Sequence, residues 1–60
     1  MMVNVKSFPF NAINSGEVER WIERAVATWL RDFESVSVDI NSFYIGENDI
    51  MVMVTGAPCD

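Results

Sequence analysis

Gly46-Glu47-Asn48-Asp49-Ile50-Met51-Val52-Met53-Val54 is the stretch that decides how this chain folds. Its first four residues carry turn chemistry, because glycine tolerates left-handed backbone and short Asn and Asp side chains bond to nearby backbone, so they predict a hairpin loop. A strand then begins near Ile50. Ile50, Val52 and Val54 take one face and Met51 and Met53 the other. A strand apolar on both faces expects cover on both, which marks it as central in its sheet.

Reading outward, Val36, Val38 and Ile40 alternate with Ser37, Asp39 and Asn41, the period of a half-buried strand. Phe43, Tyr44 and Ile45 continue it, apolar on both parities. At the other end, Met1, Val3 and Val5 share a face and Met2 and Phe8 the opposite one, which predicts a first strand stopped by Pro9.

Between these strands the period changes to that of a helix. Asn14 as cap, Glu17 three residues later and Ile13 stapled onto Val18 spell a helix start, with Ser15 an alternative cap. The helix is expected from Ser15 or Gly16 to Phe33, with Glu17 and Glu19 in the first turn to suit the positive end of its dipole. Its apolar arc, swept by Trp21, Val18, Ala25, Trp29, Ile22, Phe33, Val26 and Leu30, covers roughly half the circumference, more than a surface helix requires. With the third strand in the middle, all neighbours run antiparallel. The expectation is one α+β domain over residues 1–60, a βαββ chain whose three-stranded antiparallel sheet has the order 1-3-2, with one helix packed on one face.

That arrangement leaves apolar surface over. The sheet face away from the helix carries Met51 and Met53 with some of Phe8, Phe10, Phe43 and Ile45, and methionine suits adaptable contacts. The helix has surplus at its Trp21 and Leu30 edges. A chain of 60 residues buries only about 60% of its unfolded surface, and such scaffolds take support from disulfides, a metal or a partner subunit. Cys59 is the sole cysteine and there is no histidine, so self-association is the remaining route. Trp21, Leu30, Phe43, Ile45, Met51 and Met53 are the expected interface residues.

Signals for catalysis are nearly absent: no histidine for general base work, no phosphate-binding glycine loop, no nucleophile elbow and no zinc spacing. Cys59 sits in a Gly56-Ala57-Pro58 tail that reads as frayed, beside Asp60. Asp39, Glu47 and Asp49 lack the length and alternation of a calcium loop and read as a solvated turn. No catalytic residue, metal site or cofactor is therefore assigned. Arg20, Arg24 and Arg31 fall within about 40° on the helix face away from the core, a stripe for a phosphate or carboxylate. Glu17 with Arg20, Arg20 with Glu23 and Arg31 with Glu34 are three apart, the spacing of weak surface pairs.

The formal net charge of −5 argues against generic nucleic-acid binding. The longest apolar run, Ile50 to Val54, is far short of the ~20 residues that span a bilayer. Met1 to Phe10 lacks the apolar block and cleavage site of a signal peptide, and a cytoplasmic protein is expected. The βαββ order with Glu23, Arg24, Ala25, Thr28 and Leu30 in the helix resembles the dodecins, flavin-binding proteins that assemble into hollow dodecamers. In that family a tryptophan on the second strand stacks the flavin. Ser35 to Ile45 contains none, so no flavin site is carried over. The pattern is also similar to other short acidic proteins of bacteria and their phages. The function expected is that of a non-enzymatic, acidic, homo-oligomeric binding protein, with a phage-type or regulatory inhibitor of a larger protein as its concrete form. The alternative is an oligomer that sequesters a nucleotide or flavin in pockets at subunit interfaces.

Overall fold

Alternating apolar residues and strong turn chemistry give β1 (Met2–Pro9), a 3₁₀ turn (Phe10–Ser15), α1 (Glu17–Leu30), β2 (Val36–Ile45) and β3 (Asp49–Pro58). The structure is a computed structural model and describes residues 1–59. β3 lies between β1 and β2 and pairs antiparallel with each, so the sheet order is 1-3-2 as the two-sided apolar pattern of β3 requires. No helix among the described residues is long and apolar enough to cross a membrane.

Register assigns each side chain to a layer. Phe8 stands opposite Ile50 and Met2 opposite Gly56 on one edge, while Tyr44 stands opposite Ile50 and Val38 opposite Gly56 on the other. Even-numbered strand residues therefore face α1, and odd-numbered ones face away. Under the helix, Phe8, Ala12, Ile50 and Val52 form one buried cluster and Ala25, Trp29 and Val54 a second. Trp21 and Ile22 pack against both clusters and join them. Each buried Val, Ile or Phe contributes ~1.5–3 kcal/mol, so these few side chains carry most of the stabilisation available.

Three local expectations change. Asn14 is no helix cap, because Phe10–Ser15 wind as a 3₁₀ turn. Gly16 then reverses the backbone at φ 79°, and the Glu17 amide donates to Ser15 Oγ at 3.4 Å. A left-handed residue here suits glycine alone. At its other end α1 stops at Leu30, short of Phe33, as Asp32 and Phe33 both donate to the Trp29 carbonyl in a closing turn. Finally, the Gly56-Ala57-Pro58 stretch is no frayed tail. Gly56 pairs across to Met2 and Val38 within β3, and the Cys59 amide donates to the Ser35 carbonyl at 3.1 Å.

The molecule is elongated, with principal extents of 40, 18 and 11 Å and a radius of gyration of 12.4 Å. A compact chain of this length would have a radius near ~10.4 Å.

Candidate functional site

The face of the sheet away from α1 has no second layer. Val3, Val5, Met51, Met53, Phe43 and Ile45 share it by parity. Val5 and Phe43, flanking the methionines from either side, keep 52% and 51% of their surface exposed. Of Phe8, Phe10, Phe43 and Ile45, some of them expected on this face, Phe43 and Ile45 lie on it and Phe8 and Phe10 do not. Phe8 has the opposite parity and is buried beneath α1, and Phe10 opens the 3₁₀ turn, stacked on Tyr44 with ring centroids 5.9 Å apart. The charged residues on the open face are Asp39 and Asp49, while Asn41 beside Met53 and Ser7 beside Met51 are the uncharged polar residues among its central apolar ones.

The whole chain exposes 4407 Å². A compact monomer of 6.8 kDa would expose ~3,950 Å², so the chain leaves about 450 Å² in excess. Relative to ~9,900 Å² for the unfolded chain, folding hides only about 55%, below even the ~60% typical of so small a domain.

The helix layer shows where cover runs out. Leu30 remains 49% exposed, as expected of an uncovered edge, whereas the Trp21 edge is half-buried against Phe8, their rings 5.5 Å apart and edge to face. Towards β2 the sheet is the wider partner: Ile40 faces the helix layer but stays exposed, beside Ile13 and Val18 in a shallow groove of about 260 Å³.

Towards β1 lies a larger cleft of about 440 Å³ with different chemistry, lined by Lys6, Phe8, Glu17, Arg20, Trp21 and Arg24 among others. Lys6 comes from the helix-facing parity of edge strand β1, its Nζ 5.2 Å from the centroid of the Phe8 ring. Arg20 and Arg24 come from successive turns of α1. A Cβ on Gly16 would lie 3.2 Å from an Arg20 guanidinium nitrogen, so this glycine both makes the turn and leaves room for that side chain. The cleft thus gathers three of the four cations of the chain against one carboxylate. Arg31, the third member of the helix stripe, caps the far end of α1 and does not line it.

Lys6 is the member that helix spacing alone misses. Its parity with Phe8 places it on the helix side, which is the signal that could have found it. The acidic hairpin gathers no group of three or more metal-ligating side chains among the described residues, and Cys59 is a free, exposed thiol. Compared with protein-family models, with curated proteins and with solved structures, the chain matches none.

Proposed function

We propose that this chain is a non-enzymatic binding protein that works as a homodimer, two copies meeting through their open sheet faces. The observation that carries this is the largely apolar sheet face built by Val3, Val5, Met51, Met53, Phe43 and Ile45, which no element of the chain covers on the side away from α1. Exposed apolar patches of several hundred Å² mark interaction surfaces. Three strands about 4.8 Å apart, the longer two of ten residues, present a sheet face of roughly 33 by 14 Å, about 460 Å², the size of the smaller specific interfaces. Covering it would hide about as much surface as the excess exposure of the single chain. A second copy suits the face because opposed sheets pack about 10 Å apart through interdigitating side chains. A twofold axis near Met53 would bring the apolar centres together.

Multi-angle light scattering after gel filtration across micromolar concentrations tests this, with twice 6.8 kDa as the expected mass. Met53→Lys places a charge at the centre of the buried face, costs about 3–5 kcal/mol and dissociates the dimer. A wild-type mass of 6.8 kDa throughout, with thermal stability independent of concentration, refutes self-association. A dimer indifferent to Met53→Lys would place the interface on the Leu30 end of the helix layer instead.

A further inference from the structure

We infer that the cleft between β1 and the first half of α1 is a binding site for a mononucleotide. The site lies within one chain and is independent of the dimer. Its cations come from two elements: Lys6 on the sheet edge and Arg20 and Arg24 one helical turn apart, all lining one cleft of about 440 Å³. In a chain of net charge −5 the cleft lining is +2, because Glu17 is its single carboxylate, and everything outside it sums to −7. Guanidinium forks and an ammonium are the donors that recognise phosphate oxygens, and charge-assisted bonds of this type are the strong ones.

A bare phosphate would use only part of this space. Volumes of ~300–1,000 Å³ hold ligands of nucleotide size. The remaining lining is aromatic: Phe8 is 4% exposed and roofed by Lys6, whereas Trp21 is only half-buried, which leaves an indole surface for a base. Glu17, which would oppose a second anion, accepts hydrogen bonds from ribose hydroxyls. Charge also decides between a nucleotide and a polymer. A nucleic acid must lie across a surface that is net negative outside the cleft, while a single phosphate meets only the positive pocket.

The experiment is a titration of ¹⁵N-labelled protein with AMP, followed through the two indole N–H signals and the backbone amides. Saturable shifts of the Trp21 indole and of Lys6, Arg20 and Arg24, with the Trp29 indole unmoved, are the expected result. AMP should bind about tenfold tighter than either inorganic phosphate or adenosine, since each alone engages half of the site. Arg20→Gln with Arg24→Gln should weaken AMP at least about tenfold, whereas Arg31→Gln, the same charge change outside the cleft, should leave binding intact. Both sets of residues are exposed on α1, so the fold survives these changes and is checked by circular dichroism. Absence of saturable shifts at millimolar AMP overturns the inference, as does equal loss of binding in Arg31→Gln. Binding of phosphate as tight as AMP overturns the nucleotide assignment.

Discussion

Gly56→Ala adds a single methyl group, and the structure sets where it must go. Gly56 is a buried residue of central strand β3, and a Cβ there would stand 2.6 Å from Cε3 and 2.7 Å from Cζ3 of Trp29, and 2.9 Å from a Val36 methyl. Carbon atoms rest ~3.5–4.0 Å apart, so the indole must retreat by about 1 Å. It has little room, because Trp29 is 7% exposed and shares its cluster with Ala25 and the fully buried Val54. Forcing extra volume into a packed core costs about 1–3 kcal/mol. Alanine offsets ~0.5–1 kcal/mol of this through its better backbone entropy in a strand. The net expectation is a loss of about 1 kcal/mol, within ~0–2.5 kcal/mol, which for a domain this small lowers Tm by roughly 4–8 °C per kcal/mol. Urea unfolding followed by far-ultraviolet circular dichroism measures it. The decisive comparison is the cycle with Trp29→Leu: once the ring is gone, Gly56→Ala should lose most of its cost and keep only the part set by the Val36 methyl at 2.9 Å. An equal cost in both backgrounds would refute the seating of Trp29 on Gly56.

Gly46→Ala makes the contrasting case, since nothing lies within 4 Å of its Cβ position but its φ is +65°. It should destabilise by about 1 kcal/mol through backbone strain alone, with no coupling to Trp29 in the same urea assay. The two tryptophans should also differ in solution. Acrylamide should quench the variant retaining only Trp21 more strongly than the variant retaining only Trp29, and the reverse order would contradict the packing of α1 on β3.

The sheet order could be read from five residues because Ile50 to Val54 leave no face of their strand polar, a pattern typical of interior strands, and β3 has a strand on each edge although only its even-numbered face is covered. The hairpin followed from Gly46 to Asp49 and the helix core from the spacing of Val18, Ile22, Ala25 and Trp29. These signals are local and strong. Gly56 to Pro58 carry no local strand signal, since Gly and Pro are both poor strand formers. They are held extended by partners on both sides and by the indole above, none of which a local window contains. Asn14 failed as a cap for a related reason: the 3₁₀ turn anchors through the Phe10 amide to the Asn48 carbonyl at 2.7 Å, a bond between segments far apart in sequence. Of the candidate site, Arg20 and Arg24 were legible as helix neighbours and Met51 and Met53 as face mates. Lys6 joins the arginines only when β1 is laid at the sheet edge beside α1.

The same parity rule separates the two binding surfaces. Even-numbered strand residues, Lys6 and Phe8 among them, look towards α1, and the odd-numbered residues of the open face look away, on the opposite side of the sheet. Two copies stacked through their open faces keep both helices outermost, so both clefts stay open to solvent on opposite sides of the dimer. A nucleotide in the cleft then makes identical contacts in monomer and dimer. A ligand shifts an equilibrium only by its differential affinity for the two states, so saturating AMP should leave the dimer dissociation constant unchanged. By reciprocity, Met53→Lys should dissociate the dimer yet preserve the affinity of the monomer for AMP. Sedimentation velocity with and without AMP measures the first and the indole titration of Met53→Lys the second. A shift of more than about threefold in either constant, ~0.65 kcal/mol of coupling, would mean that the partner chain reaches the cleft. The interface would then run along the β1 edge, where Lys6 lies, and the sheet faces would not be stacked.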